Sequence, residues 1–395
     1  MMKGAKGAGP RHGLSTRSVQ GSREELSGPV VPSIVRASTF FFAGSPGETR
    51  EDLYARYGNN PNQTAVARKM ADLEGVETAL ALGSGMAAVS MTLLALLRTG
   101  DHLVASRFLY GDTHRFITEE LSRRGISATL VNPESGREWR EALEKRTRVL
   151  FLEIPTNPAL RVFDLRPMAK LAEEAGVSLV VDATFASPVN FRPAELGADV
   201  VIHSATKYLS GHSDLVAGIV SGSRGLVEEV REMLKLYGPA LDPQAAWLLD
   251  RGLRTLAVRV ERQNESAGAL ARWFQEQPGV ERVVYPGLES HPDHGLAREI
   301  LDGFGGILGV ELSGGGRAAD RFCEALEVGN TAPSLGGVET LVSQPRYTSH
   351  RGLTSAELRK AGISGSFVRI SVGLEDVEDL QVDFERGLRA AAGEG

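Results

Sequence analysis

From Thr64 onward the chain alternates two patterns: short runs of consecutive apolar residues, and longer stretches whose apolar positions recur three and four apart. The first suits buried strands and the second amphipathic helices. The pattern predicts a helix over Thr64–Leu73, a strand over Val76–Leu82, a Gly83–Gly85 turn and an apolar helix over Met86–Leu97. Strand Leu103–Ser106, helix Asp112–Arg124, strand Ala128–Val131, helix Arg137–Lys145 and strand Val149–Ile154 follow. Helix Pro167–Ala175 and strands Ser178–Val181, Val200–His203 and Leu215–Ser221 complete the series. Apolar strands alternating with helices imply an α/β fold with a mostly parallel sheet covered on both faces. Ligands of such sheets bind at the carboxyl ends of the strands.

After about Arg251 the pattern changes. A long helix is expected over Thr255–Gln275, then a strand over Val280–Tyr285 and a break at Pro286 and Gly287. A smaller α/β unit follows, with strand Ile307–Leu312, helix Arg317–Leu326, strand Phe367–Ser371 and helix Glu375–Arg389. Ahead of the regular part, residues 1–17 read as a disordered tail. Residues 18–60 read as an extended arm, with Pro29, Pro32 and Pro46 and an aromatic cluster at Phe40–Phe42. The expected organisation is a tail and arm over 1–60, a large domain over 61–250 and a smaller C-terminal domain over 251–395.

Composition narrows the function. The chain has 395 residues and a net charge of −6, so it has no electrostatic reason to hold nucleic acid or an anionic membrane. No apolar run approaches the roughly 18 residues a membrane span needs. The basic N-terminus lacks an apolar stretch of signal-peptide length, and the default location is the cytoplasm. A single cysteine, Cys323, allows no internal disulfide and no cysteine-based metal site; its apolar helical surroundings suit a core position. His291-Pro-Asp-His294 reads as a loop, so no metal is expected. The 44 basic residues comprise only eight lysines. Seven of these fall in the tail, on helices or near a chain break, where arginine would serve as well. Lys207 alone ends a buried strand.

Four segments carry chemistry. In Val200-Val-Ile-His-Ser204-Ala-Thr206-Lys207 an apolar strand runs into two hydroxyls and a lysine. Desolvation there lowers an amine pKa and suits Schiff-base chemistry, while the hydroxyls suit a phosphate ester. Asp182 closes the strand Leu179–Val181 and could pair with a pyridinium nitrogen. Gly83-Ser84-Gly85-Met86 opens a helix whose free amides form an anion site, without the spaced glycines of a dinucleotide fold or the P-loop lysine. Tyr110 follows a strand and could stack on an aromatic ring. Taken singly, each has a plainer reading: a snorkelling lysine, a strand-end cap, an ordinary turn, a surface aromatic. Together they converge on pyridoxal phosphate.

These residues also carry a resemblance. Tyr54-Ala-Arg56-Tyr-Gly-Asn, Gly83-Ser-Gly-Met-Ala-Ala, Glu153-Ile-Pro-Thr-Asn157-Pro, Val181-Asp-Ala-Thr184, His203-Ser-Ala-Thr-Lys207-Tyr, Ser334-Leu-Gly-Gly and Phe367-Val-Arg369-Ile-Ser-Val-Gly resemble the Cys/Met-metabolism family of pyridoxal-phosphate enzymes. The likeness runs from about Val30 to Arg389. It implies a type I aminotransferase-like fold and pyridoxal 5'-phosphate as cofactor. Lys207 would form the Schiff base and shuttle protons, and Asp182 would pair with the ring nitrogen. Ser84, Gly85, Met86, Ser204 and Thr206 would hold the phosphate, with Tyr54 and Arg56 reaching it from a neighbouring subunit. Tyr110 would stack on the ring and act as acid or base; Asn157 and Thr184 would line the ring. Arg369 would fork onto the substrate α-carboxylate, with Ser334 positioning both that carboxylate and Lys207. A homo-oligomer of site-sharing subunits, a dimer or tetramer acting on amino acids, follows.

The branch of chemistry rests on fewer residues. Arg115 occupies a position where cystathionine-processing members carry arginine, suited to a distal carboxylate. The Ala332-Pro333-Ser334 string resembles plant-type cystathionine γ-synthases. Both favour γ-replacement on an O-acylated homoserine with cysteine as thiol. The alternatives are cystathionine γ-lyase, methionine γ-lyase, cystathionine β-lyase or homoserine sulfhydrylase activity, and, in another class, a non-catalytic binding protein. Asp112 and Arg346 depart from the common Gly or Cys and Ala.

Overall fold

The computed structural model describes residues 12–21, 30–41, 54–348 and 363–393. Residues 1–11 of the expected tail, and Pro29, Phe42 and Pro46 of the expected arm, lie outside them. The tail expectation is corrected at its end, because Leu14–Gln20 forms a helix (α1) that packs on the helix Pro61–Glu74 (α2).

Helix α2 begins three residues earlier than its apolar pattern indicates, for a local reason. The Asn60 side chain accepts from the Asn62 amide, Gln63 returns a hydrogen bond to the Asn60 amide, and Pro61 occupies the first turn. Gly75 ends it at φ +73°, a left-handed cap that glycine adopts without steric cost.

Strands Thr78–Leu82 (β1), His102–Ser106 (β2), Ser127–Val131 (β3), Thr147–Glu153 (β4), Ser178–Asp182 (β5), Val200–Ser204 (β6) and Gly218–Gly222 (β7) form one sheet. Their order is β1-β7-β6-β5-β4-β2-β3. Only β7 runs against the rest, so the mostly parallel α/β expectation holds. The large sheet is covered on its faces by helices, among them Gly85–Leu96 (α3) and Arg224–Tyr237. A second sheet joins Val280–Val284 (β8), Ile307–Leu312 (β9), Asn330–Thr331 (β10), Leu341–Ser343 (β11) and Phe367–Ser371 (β12) in the order β10-β11-β12-β9-β8. It has its own core around Phe274, Phe322 and Phe384. Cys323 is buried there.

Two expectations change. The helix expected over Asp112–Arg124 is broken: Gly111–Arg115 (α4) is α-helical, Phe116–Glu120 is a π-helical turn, and α-helix resumes at Leu121–Arg123. Such turns inside helices are frequent at functional sites. Lys69, grouped with the exchangeable lysines, is 0% exposed and sits 2.6 Å from Asp250 Oδ1. An arginine there would have to bury a larger, forked cation in the same space.

Parallel strands align their carboxyl ends, and the register makes this concrete. Glu153 lies opposite Asp182, while Leu82 and Ser204 both lie opposite Gly218. The ends of β1, β4, β5 and β6 therefore meet at one edge of the sheet. The second sheet brings β12, with Arg369, to the same edge.

Candidate active site

A cavity of about 620 Å³ opens at that edge, a size typical of small-molecule sites. Ser84, Gly85, Met86, Tyr110, Asn157, Asp182, Thr184, Ser204, Thr206, Lys207, Ser334 and Arg369 all line it. Tyr54, Arg56 and Arg115 do not.

At one end, β6 runs close beneath the start of α3. A Cβ on Gly85 would lie 2.7 Å from the Ser204 side chain, so only glycine allows this approach. Ser84 caps α3, its hydroxyl accepting from the Ala87 amide at 2.9 Å. The Gly85 and Met86 amides then remain at the positive end of the helix, where an anion is favoured. Ser204 is half-buried on the wall. The Thr206 hydroxyl is shared with Ala217, donating to its carbonyl at 3.2 Å and accepting from its amide at 3.0 Å.

In the middle stand two carboxyl groups. Asp182 Oδ1 accepts from the Thr184 amide at 3.0 Å and its hydroxyl at 2.6 Å. Burial pushes the Asp182 pKa up, and Thr184 and the nearby His203 pull against that rise. Glu153 accepts from the Tyr110 and Asn157 amides, both at 2.9 Å. Its pKa rises to about 8, first through burial and then through the charge of Asp182. Such a pair favours a cation between or beside the two. Behind them, His203 Nε2 meets Glu74 Oε1 at 2.5 Å in a fully buried pair.

Facing these groups is Lys207. Its Nζ donates to Ser334 Oγ at 3.0 Å. Its pKa falls to about 8, first through burial and then through the charge of Arg369. An amine with that pKa is partly neutral near physiological pH and can act as nucleophile and base. Ser334 holds φ +93°, a backbone conformation that costs an L-residue energy and persists where surrounding contacts require it. Its carbonyl accepts from Arg369 Nη2 at 2.8 Å. Arg369 is 5% exposed, donates from Nη1 to Asn157 Oδ1 at 3.1 Å and leaves Nε without a partner. Burial lowers its pKa to about 10, which still leaves it cationic at neutral pH.

The remaining sequence-derived residues lie elsewhere. Arg115 is on α4 with its side chain 71% exposed, 3.3 Å from Glu119 in an i, i+4 pair, and is not among the residues that line this cavity. The Arg56 guanidinium stacks over the Tyr54 and Tyr57 rings at 5.5 and 5.2 Å and donates to the Lys235 carbonyl. Glu153 belongs to the Glu153-Ile-Pro-Thr-Asn157-Pro motif without a role expected from the sequence. Its signal was the same as that of Asp182, an acidic residue closing an apolar strand. Phe185 and Tyr347 also line the cavity and carried no such signal.

An anion cradle, a buried carboxylate within the same wall, a low-pKa amine and an arginine with a free edge suit the phosphate, ring nitrogen and aldehyde of pyridoxal phosphate and the carboxylate of an amino acid. The comparisons agree. The family model for "Cys/Met metabolism PLP-dependent enzyme" matches residues 15–389. An L-methionine γ-lyase of Fusobacterium nucleatum subsp. polymorphum is 40% identical over 389 residues, 96% of this chain and 98% of its own. A chloroplastic cystathionine γ-synthase of Nicotiana tabacum is 41% identical over 336 residues, 85% of this chain and 62% of its own. The solved cystathionine γ-synthase of Xanthomonas oryzae pv. oryzae, in complex with aminoacrylate and cysteine, superposes with a TM-score of 0.92 at 35% identity, over 97% of this chain and 100% of that one. Since the match runs through every element that builds the cavity, the chain belongs to the Cys/Met metabolism family of enzymes, and pyridoxal 5'-phosphate is its cofactor.

Proposed function

We propose that this enzyme eliminates or replaces the γ-substituent of an L-amino acid whose side chain ends without a charge, of the methionine or O-acetylhomoserine kind. One observation carries the choice: among the described residues lining the cavity, Lys207 and Arg369 are the only cations. Arg369 suits the α-carboxylate and Lys207 the reacting carbon, which leaves no cation for a second carboxylate among the described lining residues of this chain. Arg115 is paired with Glu119. Arg346 is paired with Asp320 at 2.7 Å and donates to the Gly316 carbonyl. An unpaired carboxylate in such a site would lose its hydration without compensation. Replacement on an O-acylated homoserine with cysteine is the second reading. It keeps the support of Pro333, which lines the cavity beside Ser334, and loses that of Arg115.

When bound, the cofactor supplies a conjugated pyridinium that stabilises negative charge on the substrate carbons. In this reading the Gly85 and Met86 amides, with Ser84, Ser204 and Thr206, hold its phosphate. Asp182 keeps a proton on the ring nitrogen, oriented by the two hydrogen bonds from Thr184. Tyr110 would cover one ring face, and Asn157, which braces Arg369, would border the ring. Arg369 presents its free Nε edge to the α-carboxylate, a geometry the planar guanidinium suits. Ser334 holds the Lys207 amine between proton transfers, and that amine removes the α-proton because its charged form is disfavoured.

The test is a panel of L-methionine, O-acetylhomoserine, L-cystathionine and O-succinylhomoserine, each with and without cysteine, scored for 2-oxobutanoate and thioether. The uncharged side chains are expected to show kcat/KM at least about tenfold above the carboxylate-bearing ones. A preference for cystathionine or O-succinylhomoserine would reverse the assignment.

We also propose that Tyr54 and Arg56 complete the phosphate site of a second copy of the chain. Neither lines its own cavity, and the neighbouring arm carries exposed apolar residues, Val30 at 73% and Phe41 at 103%, of the kind an interface covers. Arg56→Ala and Lys207→Ala should each be severely impaired alone. Mixed chains should regain up to roughly a quarter of the activity, because half of random dimers are hybrids with one intact site. No recovery in verified hybrids would rule out the shared site.

A further inference from the structure

We propose that Asp112 is a positioning residue that holds the Tyr110 phenol in its protonated, donating state at the cavity wall. Tyr110 is clamped at both ends by carboxyl groups. Its backbone amide donates to Glu153 Oε2 at 2.9 Å, and its hydroxyl donates to Asp112 Oδ2 at 2.9 Å. Asp112 lies in the first turn of α4, where the helix dipole favours an acidic side chain. Tyr110 is 38% exposed and lines the cavity, whereas Asp112 is exposed beyond it. The pair thus joins the cavity to solvent through one hydrogen bond.

The physical consequence follows from charge. Ionising Tyr110 would set a phenolate against a carboxylate at hydrogen-bond distance. Two like charges that close repel by about 1.4 kcal/mol even in water, or roughly one pKa unit. Burial and Asp112 together push the Tyr110 pKa up to about 12, and Glu153 adds in the same direction from β4. Asp182 faces the same cavity with the same sign. Lys207 and Arg369 oppose it from across the cavity, and His114 and Arg115 follow on α4. The net result is a phenol that keeps its proton, directed at Asp112, and does not serve as a phenolate base near neutral pH.

This inference rests on the reading of Tyr110 as an acid–base residue, so its test has a readout that needs no turnover. The holoenzyme is isotopically labelled at tyrosine Cζ and titrated by NMR; the resonance missing from Tyr110→Phe is Tyr110. Asp112→Asn and Asp112→Ala, both at an exposed position, should lower the Tyr110 pKa by about one unit or more. The alkaline limb of kcat/KM should move down with it, and Asp112→Asn should cause no shift when Tyr110→Phe is also present. A Tyr110 pKa that stays within about 0.3 unit in both variants overturns the proposal. A pKa that falls while the rate profile stays unmoved upholds the hold of Asp112 on Tyr110, and counts instead against the acid–base reading of Tyr110.

Discussion

Replacing Lys207 with methionine should abolish turnover and make the cofactor-free protein more stable at pH 7. Turnover is lost because no other amine lines the cavity among the described residues, and a positioned acid–base group contributes about 100- to 10,000-fold, before any covalent role is added. Borohydride reduction of the parent should leave the cofactor mass on the peptide that holds Lys207, and the variant should retain none. The stability gain has a definite sign. The folded pKa is lowered from 10.5 to about 8, so the fold disfavours the charged amine. Below about pH 8 both folded and unfolded chains carry the proton, and the cost of burying that charge is fully present. Between about 8 and 10.5 the folded chain loses the proton while the unfolded chain keeps it, and the cost is lifted. The gain on substitution should therefore be about 1–2 kcal/mol at pH 7 and vanish above about pH 10.5. Urea unfolding at pH 7 and pH 10.5 measures it. A variant that turns over substrate, or is less stable at pH 7, removes Lys207 from the role assigned to it.

The second large effect is at Arg369. Arg369→Lys should lower kcat/KM by roughly 100- to 1,000-fold, mainly through KM, with the cofactor still bound. The guanidinium is anchored on Asn157 and the Ser334 carbonyl, which turns its remaining Nε edge towards the cavity. A lysine ammonium reaches as a point charge and cannot keep both anchors and a bidentate carboxylate. Losing a charge-assisted fork in a dry site costs about 3–4 kcal/mol, which sets the fold-change. Steady-state kinetics on the best substrate, with cofactor occupancy read from absorbance, decide the matter. A kcat/KM within tenfold of the parent would take the carboxylate away from Arg369.

These expectations differ in how early they can be read. Lys207, Asp182 and the Gly83–Met86 turn are legible because each is a chemical residue type at the end of an apolar run, and the runs themselves are local. The helix Pro61–Glu74 is legible in full once its cap is considered, since Asn60, Pro61 and Gly75 are adjacent in the chain. The helices Arg224–Tyr237 and Pro243–Leu253 were missed although they carry equally local signals: Ser223 and Gly238 bound the first, Asp242 and Pro243 open the second. Lys69 was misread because nothing in its own sequence reveals Asp250, 181 residues away and 2.6 Å distant.

The sequence by itself determined the α/β pattern, the family, the cofactor and the amine, acid and arginine that line one cavity. The pattern, the cofactor, the amine and the acid follow from periodicity, local motifs and residue chemistry, whereas the family and the arginine follow from the resemblance those motifs carry. Only the tertiary structure decided that Glu153 stands beside Asp182, because strand order and register are set by packing between distant runs. It also decided that Ser334 holds Lys207 across 127 positions and that Asn157 braces Arg369 across 212. It turned Arg115 outward and set Asp112 against the Tyr110 hydroxyl. Side-chain direction depends on the phase of a helix against its neighbours, which no residue count reveals. The identity of the chemistry is thus local, whereas the choice of substrate is a property of the fold.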